Sequence, residues 1–189
     1  MEQAYRIVVG MDLEPSGDVA LEEALRLGSR IGECELHTVH VISGDPAVDL
    51  KAMDEMSRHL TRGMERLRDR VERTVDALGI GQKVRLHVRF GDPVRVLQQV
   101  AVDYDAHLLV VGTHGRKGIE RLLLGSVASD LVKVARLPVV VARPRDFSGL
   151  ARTPVPDDER PGVPLHGGDQ IVSDVIQIGP RSSHISGLV

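Results

Sequence analysis

The residues best suited to chemistry stand close together: Gly112-Thr113-His114-Gly115, then nine residues, then Gly125-Ser126. An apolar run, Leu108-Leu109-Val110-Val111, comes just before them. A helical pattern and a second apolar run, Val139-Val140-Val141, come just after. Glycines at the end of a strand allow a tight turn and let the backbone approach a ligand without a Cβ in the way. A helix opening at Gly125-Ser126 offers free N–H groups and the positive end of its dipole, which together favour phosphate. Ser126 adds a hydroxyl donor. No G-x-x-x-x-G-K-[ST] occurs and no G-x-G-x-x-G follows the first strand, so neither a Walker P-loop nor the common dinucleotide fingerprint is present. His114 has the chemistry of a metal ligand or general base. The other histidines show no ligand spacing around it, which leaves it as a residue that organises its loop. Arg116 and Lys117 are near enough in sequence to pair with phosphate or to be solvated loop charges. No attacking-water base is paired with an arginine as phosphoryl transfer requires, so any such turnover should be slow.

The elements that must position this stretch follow from periodicity. Arg6 to Gly10 is apolar on both faces at Ile7-Val8-Val9, as in a central parallel strand covered by helices. A polar loop over Asp12–Asp18 leads to a helix from about Asp18, its candidate N-cap, to Arg30, with Gly32 as the stop. Leu36 to Ile42 is the second strand. Met53, Met56, Leu60, Met64, Leu67, Val71, Val75 and Leu78 then mark one apolar face of a long helix. The arginines between them alternate with acids, the pattern of a solvated face rather than of a nucleic-acid surface. Val84, Leu86, Val88 and Phe90 alternate with polar residues, which predicts a half-exposed strand at a sheet edge. Asp92-Pro93 opens the next helix, an N-cap followed by proline at the first helical position. His107 to Val111 is the fourth strand, Ser126 to Arg136 the last helix and Pro138 to Arg143 the fifth strand. Strands and helices alternating in this way imply a parallel sheet with right-handed crossovers.

Composition narrows the function classes. The chain has 189 residues, a formal charge of −3 and almost no aromatics. No charge excess invites nucleic acid or an acidic membrane, and there are no stacking platforms for single strands. No apolar run reaches the ~20 residues of a membrane span, and the first residues lack the regions of a signal peptide. The single cysteine, Cys34, cannot form an internal disulfide, which suits a reducing cytoplasm. It reads as a small buried hydrophobe. From Pro144 onward six of the ten prolines cluster and no helical period survives. The expected organisation is therefore one domain over residues 1–144 and a Pro/Gly-rich arm over 145–189. Gln170–Ile178 could form one short strand in that arm, able to join a partner's sheet edge.

Gly112-Thr113-His114-Gly115 with Gly125-Ser126-Val127-Ala128 resembles the G-x-x-G-x9-G-[ST] signature of the universal stress protein family. The flanking pieces agree: Val9-Gly10-Met11-Asp12, His40-Val41-Ile42, Gly91-Asp92-Pro93 and Pro138-Val139-Val140-Val141. The resemblance covers roughly Ala4 to Pro144. It implies an open, doubly wound, five-stranded parallel sheet of order 3-2-1-4-5 that binds ATP, with Mg²⁺, at the switch point between strands one and four. It also implies roles. Gly10, Met11, Asp12 and Val41 fall at the adenosine end, with Asp12 hydrogen-bonding the nucleoside. Gly112, Thr113, His114 and Gly115 line the ribose and phosphates, and Gly125, Ser126 and Val127 hold the phosphate tail. Two positions depart from the pattern. Leu13-Glu14-Pro15 replaces small residues and would narrow the adenine side. Ala128 lacks the hydroxyl many binders carry, which removes one γ-phosphate contact. The family analogy further implies a homodimer through the fifth strand, Pro138–Arg143, and a nucleotide-dependent regulator or sensor. The alternatives are an interaction scaffold with a vacant cradle and a slow ATPase.

Overall fold

The computed structural model describes residues 4–44, 50–113 and 124–149, with backbone only at 50–53. Five strands form one parallel sheet: β1 (Tyr5–Gly10), β2 (Cys34–Ile42), β3 (Lys83–Phe90), β4 (Leu108–Gly112) and β5 (Val139–Ala142). Their order is β3-β2-β1-β4-β5, the order the resemblance implies. Four helices alternate with them: α1 (Pro15–Ile31), α2 (Leu50–Leu78), α3 (Pro93–Asp103) and α4 (Ser126–Val134). The chain divides into two units, Met1–Arg145 and Asp146–Val189. All nine elements belong to the first. In the second, the described stretch ends in a turn where Asp146 accepts from the Ser148 N–H at 2.9 Å. The candidate strand at Gln170–Ile178 lies outside the described residues.

Two apolar layers explain the composition of the central strands. Ile7 and Val9 face α1 and α2, packing with Leu21, Leu25, Leu67 and Val71. Val8 faces the other way, onto Leu97 and Val100 of α3 and Leu131 of α4. All three β1 side chains are fully buried, so a continuous apolar run here reflects burial on both faces. The alternating strand, β3, is at the sheet edge, as its pattern predicts. Asp92 caps α3, accepting from the Arg95 N–H at 2.9 Å, with Pro93 at the first helical position.

The start of α1 differs from expectation. The helix begins at Pro15, with Glu14 as an N-cap that makes no side-chain bond. Asp18 lies inside the first turn and is taken by α2: Arg70 grips both its carboxylate oxygens, with Nη2 2.7 Å from Oδ2. Proline pre-sets the φ of the first helical residue, so the helix starts four residues earlier than an acidic cap at 18 would allow.

Candidate functional site

Where β1 and β4 end, the chain diverges to opposite faces of the sheet, to α1 on one and α4 on the other. Between the two departures lies a cavity of about 420 Å³. Such a switch point is where open α/β sheets hold ligands. Gly10, Met11, Asp12, Val41, Gly112, Thr113, Gly125, Ser126 and Val127 all line it. His114 and Gly115 lie outside the described residues, as do Arg116 and Lys117. Val39, Pro93, Leu97, Val111 and Ala128 complete the lining. Val39, Leu97 and Val111 read in sequence as ordinary core residues and Pro93 as a helix start, with no local sign that they converge, whereas the resemblance already singles out Ala128.

The two ends of the cavity differ in chemistry. Val39, Val41, Leu97 and Pro93 make an apolar slot on the β2 and α3 side. Opposite, α4 begins at Gly125 with no side-chain cap, and among the described residues nothing else caps its first-turn N–H groups, which face the cavity. A short hydrogen bond from the Gly125 N–H to the Thr113 carbonyl, 2.6 Å, fixes this helix start against the end of β4. Ala128 is buried and presents only a methyl group to the cavity.

Asp12 is spent largely on its own loop. It accepts from the Glu14 N–H at 2.9 Å, the Gly17 N–H at 3.2 Å and the Ser16 hydroxyl at 2.7 Å. These bonds close a compact turn with Leu13 in the left-handed region, φ 61°. A carboxylate offers about four acceptor sites, so roughly one remains toward the cavity. The turn also redirects Leu13, whose side chain is 4% exposed and packs into the core beneath α1 and α2. The expected narrowing of the adenine side by Leu13-Glu14-Pro15 therefore does not occur, because none of the three lines the cavity. Arg70 adds a clamp from α2, donating from Nη1 to the Leu13 carbonyl at 2.8 Å.

Gly112 has a different reason to be glycine than the sequence suggests. A Cβ there would lie 2.3 Å from the Ser16 carbonyl oxygen and 2.6 Å from its carbon. The space is filled by the first turn of α1, so the missing side chain serves the packing of α1 on β4 rather than the approach of a ligand. Gly125 adopts φ −56°, which any residue can reach.

A second, polar groove of about 370 Å³ lies at the opposite end of the strands, lined by Arg6, Glu35, His37, Arg85 and the turn after α3. His37 Nδ1 is 3.1 Å from His87 Nε2, and Tyr104 packs against both rings. Glu35 lies 4.0 Å from His37 Nε2, so the carboxylate favours a proton on that nitrogen and leaves His87 as donor to Nδ1. Burial works to raise the Glu35 carboxyl, but hydrogen bonds from Arg85 and Lys83 outweigh it and hold it below the usual range. Burial lowers both imidazoles, His87 to about 4. Cys34 is buried and its thiol pushed up, chiefly by burial, which makes it a poor nucleophile. Among the described residues no cluster of three or more His, Cys, Asp or Glu could hold a metal ion, and no helix is long and apolar enough to cross a membrane.

Comparison with known proteins assigns the family. The family model described as the universal stress protein family matches residues 4–143. Universal stress protein Rv2005c of Mycobacterium tuberculosis is 36% identical over 141 residues, which are 72% of this chain and 45% of that protein. The chain thus spans about half the length of these mycobacterial relatives. Universal stress protein MJ0531 of Methanocaldococcus jannaschii is 31% identical over 75% of this chain and 84% of its own. Among solved structures, the universal stress protein UspA from Lactobacillus plantarum superposes with a TM-score of 0.60 at 18% identity, covering 76% of this chain and all of that one. A universal stress protein in complex with cAMP gives 0.55 at 19% identity, covering 75% and 99%. The order of the sheet, the matched span of 140 residues and these relatives agree: the chain belongs to the universal stress protein family.

Proposed function

We propose that this domain binds an adenine nucleotide, ATP with Mg²⁺, and acts as a nucleotide-dependent regulator or sensor in a stress response. The observation that carries this reading is a single cavity with an apolar slot at one end and an uncapped helix start at the other. An amphiphilic ligand with a flat base and an anionic tail has the matching polarity. The relative solved with cAMP is a fold neighbour holding such a ligand. In this reading Gly10, Met11, Asp12 and Val41 meet the nucleoside, and Gly112, Thr113, His114 and Gly115 follow the ribose and phosphates. Gly125, Ser126 and Val127 receive the tail. Mg²⁺ would arrive on the phosphates and be held mainly by their oxygens and water, the usual arrangement for this ion.

The domain is further proposed to be cytoplasmic, on its single buried cysteine, and to dimerise through β5. Among the described residues that strand has one unpaired edge, and edges of this kind are normally covered. Calorimetric titration with ATP and Mg²⁺, together with native mass spectrometry of the purified protein, tests the central claim. Bound adenine nucleotide or saturable binding is expected. An empty protein with no heat of binding and no thermal shift overturns it and favours the scaffold reading. Steady turnover at about 1 per second or faster would instead mark an enzyme.

A further inference from the structure

The ladder between β1 and β2 stops half a rung beyond Gly10, where a side chain meets the next carbonyl. Gly10 stands opposite Val39, so Met11 would stand opposite His40 in the next rung. Half of that rung is made: the Met11 N–H donates to the Val39 carbonyl at 2.8 Å. In a parallel ladder the other half would run from the Val41 N–H to the Met11 carbonyl. No backbone bond joins those two groups. The Met11 carbonyl is taken instead by the His40 imidazole, with Nδ1 at 2.9 Å. A carbonyl oxygen only accepts, so Nδ1 carries the proton.

The consequence falls on Val41. Alternate residues of a central parallel strand direct their peptide groups to opposite neighbours, so Val41 points its N–H and C=O to the same side as Val39, toward β1. At that height β1 has already turned away into the Asp12 loop, and Val41 borders the cavity. The imidazole itself lies on the other face of the sheet, beneath α2, where a Cβ on Gly63 would come 3.5 Å from its Cδ2. His40 can therefore act on the cavity without touching what binds there.

We propose that His40 is a positioning residue of this site: by holding the Met11 carbonyl it stops the strand from zipping one half-rung further and keeps the Val41 N–H free. A free N–H beside a C=O on one peptide matches a ring edge that places an acceptor next to a donor, as a 6-aminopurine does. This inference rests on the nucleotide reading for its ligand but not for its structural effect. Without His40, the Val41 N–H can close on the Met11 carbonyl, and the base loses its donor.

The test compares His40→Leu with His40→Asn in the full chain, because the Asn amide N–H can stand where Nδ1–H does. Amide hydrogen exchange resolved by NMR reports Val41 in the nucleotide-free protein, and calorimetry reports ATP affinity. Val41 should exchange readily in the unmodified chain and in His40→Asn, and be protected in His40→Leu. ATP should bind His40→Leu about tenfold more weakly, the factor of one ordinary hydrogen bond, and His40→Asn nearly as well as the unmodified chain. Equal Val41 exchange in all three, or full affinity in His40→Leu, would overturn the proposal. If the unmodified chain binds no ATP, the nucleotide reading fails, and the exchange comparison alone decides the role of His40.

Discussion

Replacing Gly112 with alanine separates two reasons for a glycine at the end of β4. If the glycine serves a ligand, Gly112→Ala should weaken binding and leave the empty protein as stable as before. The geometry predicts the reverse emphasis. The new Cβ would lie 2.3 Å from the Ser16 carbonyl oxygen, 2.6 Å from its carbon and 2.9 Å from its Cβ. Carbon contacts are comfortable at about 3.5–4.0 Å, so the first turn of α1 must retreat by roughly 1 Å. Overpacking typically costs about 1–3 kcal/mol, and a helix backbone that cannot rotate out of the way belongs at the upper end. A loss of about 3 kcal/mol should lower Tm by about 10 °C in a domain of this size. Gly10→Ala is the control. Its Cβ would meet Val111 Cγ1 at 3.0 Å and Leu97 Cδ1 at 3.2 Å, both side-chain ends that can turn, so about 1 kcal/mol is expected. Urea denaturation of the nucleotide-free proteins measures both. A Gly112→Ala protein within about 0.5 kcal/mol of the unmodified chain would refute the packing argument.

Three further outcomes follow from the contacts. Acidification should destabilise the fold between about pH 6.5 and 4, because burial keeps His37 and His87 from taking the protons the unfolded chain accepts. Stability is then complete above the ordinary histidine value of 6.5 and is lost as pH falls toward the folded value of His87, about 4. For His87 the effect is at most about 3 kcal/mol, with about 2 kcal/mol gone by pH 5. Urea titrations at pH 7 and 5 should show this loss, and His87→Gln should reduce it; a flat profile in the unmodified chain would contradict it. Arg70→Met removes the two-pronged hold on Asp18 and the bond to the Leu13 carbonyl. The pair is partly exposed, so a modest loss of about 1–2 kcal/mol is expected, with weaker ATP binding because the Asp12 loop loosens. Unchanged stability and affinity would show that the clamp carries nothing. Val141→Pro addresses the proposed dimer: Val140 sends its peptide groups to β4, so Val141 sends its own to the edge that no described strand pairs. Light scattering should find a monomer with little change in Tm, and a persistent dimer would move the interface elsewhere.

Much of this molecule was legible from its residues because the relevant signals are local. Continuous Ile7-Val8-Val9 marks a strand covered on both faces, alternating Val84 to Phe90 marks the edge strand, and Asp92-Pro93 fixes where α3 begins. Gly112 at a strand end and Gly125 at a helix start both border the cavity. The motif did not disclose why Gly112 is glycine, since Ser16 is almost a hundred residues away and meets it only when α1 docks on β4. Nor could it tell that Leu13 turns into the core, because that direction depends on an Asp12 carboxylate closing its own loop. Val39, Leu97, Pro93 and Val111 become walls of one cavity only through sheet order, and His40 acquires a role only because β1 stops beside it. Periodicity and turn chemistry act over a few residues and can be read in order along the chain. Which side chains then share a space is set by packing between elements remote in sequence, and only the tertiary structure decides it.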